Sequence, residues 1–216
     1  GTHLLHQPAG GKGKLLGGLP STERGKVVVL GAGVAGGNSA ELAASGGANV
    51  VVFEKRQDRM AQMMALGSNV TTLYPYEEAV AREIASADLV IGAVLVTGAK
   101  APHVITRAMV AVMEPGSVIV DISVDQGGCA ETTRPTTYKD PTYVVDGVTH
   151  FAVTNMPGAV PYSSTRALSN ATLPYIVDVA NQGWDAAAGA SPALALGLNV
   201  RGGEVTNPGV RAAMGL

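Results

Sequence analysis

The apolar run Lys26-Val-Val-Val-Leu30 breaks on glycines spaced Gly31-x-Gly33-x-x-Gly36, and no other feature constrains the chain as strongly. A helix-compatible segment follows, then a second apolar run that ends on Glu54, 18 residues after the last of those glycines. Strand, tight glycine turn, helix, strand and terminal acid together form the dinucleotide-binding fingerprint in the context it requires. Gly31 permits the turn, Gly33 lets backbone approach a pyrophosphate, and Gly36 lets helix and strand pack closely. The helix that opens there presents unpaired N–H groups and its positive dipole end to the phosphates. Glu54 at the strand tip is placed to accept hydrogen bonds from the adenosine ribose. A carboxylate in that position favours NAD over NADP, and Lys55, Arg56 and Arg59 close behind it could soften the preference.

The alternation continues beyond the fingerprint. Residues 57–66 read as a helix whose methionines, Met60, Met63 and Met64, pack against a sheet. Residues 69–73 read as a strand and 76–86 as an amphipathic helix. The near-continuous apolar run 88–96 suits a central parallel strand buried on both faces. A helix over 103–113, a strand over 117–123 and a sixth strand over 150–153 complete the pattern. This alternation predicts an α/β fold, a Rossmann-type doubly wound parallel sheet with right-handed crossovers. C-terminal helices of a second, incomplete domain follow it. The expected division is 1–25 for a short helical tail and a flexible glycine-rich connector, 26–161 for the dinucleotide-binding domain, and 162–216 for a second helical unit. Ser163-Ser164 can cap the first helix of that part, and Pro174 should kink it or mark a start.

Turns at the carboxyl ends of the strands carry the chemistry candidates: Glu54, Val94 to Gly98, Asp125 to Cys129, and Thr154 to Pro161. Composition narrows the partners. A formal charge of −2 gives no reason to expect a nucleic-acid or membrane partner. No apolar run approaches the roughly 18–20 residues of a membrane span, and no signal-peptide pattern opens the chain. The single cysteine, Cys129, excludes an internal disulfide and fits a reducing compartment, so a cytoplasmic location is expected. Cys129 reads as a small buried residue before it reads as a redox-sensitive thiol. His3, His6, His103 and His150 read as structural or solvated.

Several segments resemble the alanine dehydrogenase family over essentially the whole length: Gly17-Gly-Leu-Pro20, the fingerprint, Asp88 to Pro102, Val120-Asp-Ile-Ser-Val-Asp-Gln-Gly-Gly-Cys129, Arg134-Pro-Thr-Thr-Tyr138 and Asn155-Met-Pro-Gly-Ala-Val-Pro161. The last of these, with Ser169-Asn-Ala-Thr-Leu-Pro-Tyr175, separates the chain from the related proton-translocating transhydrogenase NAD subunit. The resemblance implies reversible NAD-dependent oxidative deamination of L-alanine to pyruvate and ammonia, with direct hydride transfer. It implies cofactor contacts from Gly31, Gly33, Val34, Gly36, Glu54, Arg59, Val94, Leu95, Ile122, Ser123, Val124, Asp125, Arg134, Val153, Asn155 and Met156. It also implies that Asn155 reaches substrate. Asp125 matches the catalytic aspartate, where a carboxylate can stabilise a developing iminium and order the attacking water.

Departures from the family are few. Glu54 replaces the usual aspartate, and Pro75 stands where relatives often have a serine near the adenosine. Gln182 stands where some relatives have a histidine credited with metal binding, so no metal is expected. By the same resemblance residues 1–25 are the end of an entry helix with its connector and 162–216 the helical part of the substrate domain. The family's amino-terminal domain, which supplies an arginine, a lysine and the general acid–base histidine, is expected to be missing here and an isolated chain to be inactive. The family also implies a homo-oligomer, a hexamer. Two alternatives stay open: a dinucleotide-binding module without chemistry of its own, and a transhydrogenase-like NAD subunit, which would exchange hydride between NAD and NADP analogues without alanine.

Overall fold

The computed structural model describes residues 1–94 and 103–216, which divide into two compact units. The first holds residues 1–94 and 103–154, the second residues 155–216. In the first unit the elements follow as β1 (Lys26–Leu30), α1 (Val34–Ser45), β2 (Asn49–Phe53), α2 (Gln57–Met64), β3 (Val70–Leu73), α3 (Glu77–Ala85), β4 (Leu89–Gly92), α4 (Arg107–Ala111), β5 (Val118–Asp121), β6 (Thr142–Val145) and β7 (Val148–Phe151). They build one sheet in the order β3-β2-β1-β4-β5-β7-β6. Every pairing is parallel except that of β6 with β7. The doubly wound α/β sheet read from the sequence is therefore present. Successive strands move outward from β1 in one direction and then resume beside it in the other. The crevice at that reversal, beyond the ends of β1 and β4, is where this architecture binds ligands.

The apolar runs form central strands because both faces are covered. Val27, Val28, Val29 and Leu30 are each at most 1% exposed, and β4 and β5 are buried throughout. Removing a valine or leucine side chain from water stabilises by about 1.5–3 kcal/mol, so a run of this kind has no competing surface conformation.

Several elements differ from the sequence reading. Among the described residues of the run 88–96 the strand spans Leu89–Gly92, and residues 95–96 lie outside the described residues. Asp88, 2% exposed, instead accepts the backbone N–H of Lys26 at 2.7 Å and pairs with Lys12 at 2.9 Å and Lys14 at 3.2 Å. Burial pushes its carboxyl up, but the Lys26 N–H and the two ammonium groups outweigh burial and hold it below the ordinary carboxylate range. The connector is consequently fastened to the sheet. Residues 1–25 form 3-10 turns at His3–Leu5 and Gln7–Ala9, with Leu5 fully buried.

The helix expected over 103–113 contracts to α4, started by the Thr106 hydroxyl accepting the N–H of Met109. Ile105 is drawn out of it into a bridge with Ala130. The methionines of α2 do not form a sheet-facing seam. No residue of that eight-residue helix is buried, Met64 is 59% exposed, and Met63 lies over Gly37 of α1. The strand expected at 150–153 starts earlier, at Val148, and β6 precedes it through a turn with Asp146 at φ 50° and Gly147 at φ 80°.

The second unit contains a 3-10 turn at Met156–Ala159, α5 (Pro161–Ala190), α6 (Pro192–Leu196), the short hairpin of β8 (Val200–Arg201) and β9 (Glu204–Val205), and α7 (Pro208–Met214). The first helix starts at Pro161, and the Ser164 hydroxyl donates back to the carbonyls of Pro157 and Val160 instead of capping it. Pro174 sits inside α5 with helical backbone on both sides. The break falls at Gly183, with φ 78° and ψ 165°. Among the described residues no helix is long and apolar enough to cross a membrane.

Candidate functional site

The turn between β1 and α1 is shaped by contacts that only glycine permits. Gly31 has φ +90°, and a Cβ there would stand 2.7 Å from the carbonyl oxygen of Ala93. A Cβ on Gly36 would collide with the carbonyl oxygen of Gly31 and lie 3.2 Å from the Cβ of Ala93. Gly33 stands at the N-cap of α1, which has no capping side chain and no acid in its first turn. Val34, the first helical residue, is 86% exposed. The opening N–H groups of a twelve-residue helix are thus left for an external anion, with the dipole adding to the attraction. This cradle fits a dinucleotide pyrophosphate.

Glu54 lies beside it, half-buried at the end of β2. Its Oε2 accepts the N–H of Ala32 at 2.9 Å, and its Oε1 accepts those of Lys55 at 2.7 Å and Arg56 at 3.0 Å. Burial pushes the carboxyl up, but the three N–H groups and the Arg59 charge prevail and hold it below the usual range. Glu54 is therefore an ionised acceptor that also ties the glycine turn to the second strand. Arg59 reaches over the same turn, its Nη1 donating to the Ala32 carbonyl at 3.3 Å.

Across the crevice, β5 runs into a 3-10 turn over Ile122–Gln126. Ser123 and Val124 are buried, Ile122 is half-buried and Asp125 is exposed. The Ser123 hydroxyl donates to the Val94 carbonyl at 2.8 Å, joining this turn to the exit of β4. Gln126 Oε1 is buried without a hydrogen-bond partner among the described residues, an acceptor that a bound donor would satisfy. Further along, the exposed Arg134 lays its guanidinium 4.0 Å from the centre of the Tyr143 ring, which also stacks on His150 at 5.0 Å. The Tyr143 hydroxyl accepts the N–H of Arg134 and donates to the Thr132 carbonyl. His150 is buried, bonded to Thr132 Oγ1 and the Val148 carbonyl, and burial lowers its pKa. Cys129 is fully buried, and burial, with the Asp121 carboxylate adding, pushes its thiol well up.

The structure thus gathers Gly31, Gly33, Val34, Gly36, Glu54, Arg59, Val94 and Ile122 to Asp125 at one sheet edge. Arg134 and the buried Val153 belong to the same unit, the latter bridged to Thr136. Leu95 lies outside the described residues. Asn155 and Met156 belong to the second unit, where Asn155 adopts the left-handed conformation before the Met156–Ala159 turn. Among the described residues no three histidine, cysteine, aspartate or glutamate side chains come together as a metal would require. Sequence reasoning passed over Asp121 and Tyr143. The first sat inside an apolar strand run, and an acid closing such a run was the available signal.

Residues 1–208 match the family model described as "Alanine dehydrogenase/PNT, C-terminal domain". The alanine dehydrogenase of Halomonas elongata is 46% identical over the whole of this chain, which covers 58% of that relative. A solved L-alanine dehydrogenase superposes with a TM-score of 0.89 at 47% identity, over all of this chain and 60% of its own. A transhydrogenase from Sinorhizobium meliloti superposes with a TM-score of 0.64 at 30% identity, over 70% of this chain and 45% of its own. The chain thus spans rather more than half the length of the alanine dehydrogenases it matches.

Proposed function

The chain belongs to the alanine dehydrogenase/PNT C-terminal domain family, and on that premise we propose that it supplies the NAD-binding part of an enzyme interconverting L-alanine with pyruvate and ammonia. The observation that carries this reading is the uncapped start of α1 behind the glycine turn, with ionised Glu54 on one side and the Asp125 turn across the crevice. NAD, when bound, supplies the hydride acceptor. Gly31, Gly33, Gly36 and Val34 cradle its pyrophosphate, Glu54 and Arg59 hold the adenosine half, and Val94 lines the cofactor cleft, to which the family resemblance adds Leu95. Ile122 to Val124 support the nicotinamide side with Arg134 and Val153. Asp125 projects its carboxylate towards the reacting carbon, stabilising positive charge on the imine and orienting water. From the family resemblance, Asn155 and Met156 complete the cofactor contacts and Asn155 contacts substrate. A hexameric assembly and a cytoplasmic location are part of the same proposal.

A protein of the relatives' full length carrying this chain should oxidise NADH with pyruvate only when ammonium is present. This chain by itself should bind NADH without oxidising it. Ammonium-independent hydride exchange between NADH and an NADP analogue would instead favour a transhydrogenase-like subunit. Turnover by the chain alone would overturn the proposed division of labour.

A further inference from the structure

Asp121 closes β5 opposite Gly92 of β4, and its carboxylate is 1% exposed. Its Oδ1 accepts the N–H of Ser123 at 2.9 Å. Its Oδ2 accepts the N–H of Cys129 at 2.8 Å, that of Ala130 at 3.4 Å and the Thr133 hydroxyl at 2.5 Å. These donors lie on both sides of Asp125, so one buried carboxylate fixes the two ends of the turn that carries it. Inside that ring the N–H of Gly127 bonds the Val124 carbonyl and the N–H of Gly128 bonds the Ser123 carbonyl, each at 3.0 Å. Space for the arrangement comes from glycine. A Cβ on Gly92 would strike Cys129 Sγ, and one on Gly128 would stand 2.9 Å from Asp121 Oδ2.

We propose that Asp121 is a positioning residue for turnover, holding the Ser123–Cys129 turn so that Asp125 is presented in one fixed orientation. The proposal rests on the reading that Asp125 works in the reaction. A buried carboxylate must keep its donors, because losing one leaves charge without compensation. The turn can therefore move only at the cost of the whole ring. Asparagine at 121 would turn an amide donor towards one of these N–H or hydroxyl groups and break the ring at that point.

The test uses Thr133, which donates to the Asp121 carboxylate and lies outside the Ser123–Cys129 turn. In the full-length enzyme, Thr133→Val should lower kcat about tenfold, because small misplacements of a reacting group carry large rate penalties. The NADH dissociation constant should stay within about twofold, and Thr133→Ser, which restores the hydroxyl, should return kcat to within about twofold of the parent. Wild-type kcat in Thr133→Val would overturn the proposal. So would a loss of kcat matched by an equal loss of NADH affinity that serine does not restore. Asp125→Asn measured alongside separates the two levels. Full activity there removes the catalytic reading and this inference with it, whereas an inactive Asp125→Asn beside an unaffected Thr133→Val removes the inference alone.

Discussion

Gly36→Ala should abolish NADH binding by the chain and lower its stability by about 3 kcal/mol or more, at the upper end of overpacking penalties. The new Cβ meets the carbonyl oxygen of Gly31, which belongs to backbone and cannot rotate away. Gly31 is itself held at φ +90° with its N–H bonded to the Phe53 carbonyl, so relief requires α1 to move off the sheet. Its amino terminus then leaves the pyrophosphate position. Gly37→Ala is the matching control. There a Cβ finds the flexible end of Met63 at 3.6 Å and the Ala32 carbonyl oxygen at 3.8 Å, both ordinary contacts, and replacing a helix-interior glycine gains about 0.5–1 kcal/mol. Urea denaturation and NADH fluorescence titration of the pair measure both effects. Wild-type affinity in Gly36→Ala would contradict the close approach described for this turn.

Asp125→Asn in the full-length enzyme should reduce alanine turnover by about a hundredfold or more while leaving NADH affinity within a few-fold. The substitution keeps shape and removes charge. Asp125 is exposed on a turn whose neighbours Ser123 and Val124 are buried, so the change should not disturb the turn itself. Steady-state kinetics with alanine and NAD, beside an NADH titration, give the two numbers. Retained turnover with lost affinity would assign Asp125 to cofactor binding and not to chemistry.

The fingerprint was legible because its determinants are local: three glycines and an acid within one βαβ unit, each answering a backbone requirement. The same holds for the apolar stretches 27–30, 89–91 and 118–120 of β1, β4 and β5, whose continuous burial calls for an apolar residue at each position. The ends of elements were less legible, since tertiary partners set them. Asp88 leaves its apolar run because two lysines far earlier in the chain meet it. Ile105 leaves its helix because Ala130 offers a bridge.

The hairpin of β6 and β7 was a different kind of omission. Asp146-Gly147 between Thr142–Val145 and Val148–Phe151 is a strong hairpin signal, with both turn residues at positive φ as such turns require. Pro174 shows the converse. A proline that locally predicts a kink is absorbed in α5, and the break goes to Gly183, whose φ of 78° only glycine adopts freely. Within the site, Glu54 was expected as a ribose acceptor, and its bond to Ala32 N–H, which ties it to the glycine turn, was not read from the sequence. Asp121 could not be read as the anchor of its turn, because its donors at Cys129, Ala130 and Thr133 converge only once the turn has closed.

Binding of NAD at the start of α1, selected over NADP through Glu54, is open to one direct measurement. Nicotinamide fluorescence titration of the chain with NADH and with NADPH tests it most directly. Saturable binding of NADH is expected, with NADPH weaker by at least about tenfold because its 2′-phosphate would face a carboxylate already held in its ionised form. Equal binding of the two nucleotides, or no saturable binding of NADH, would contradict it.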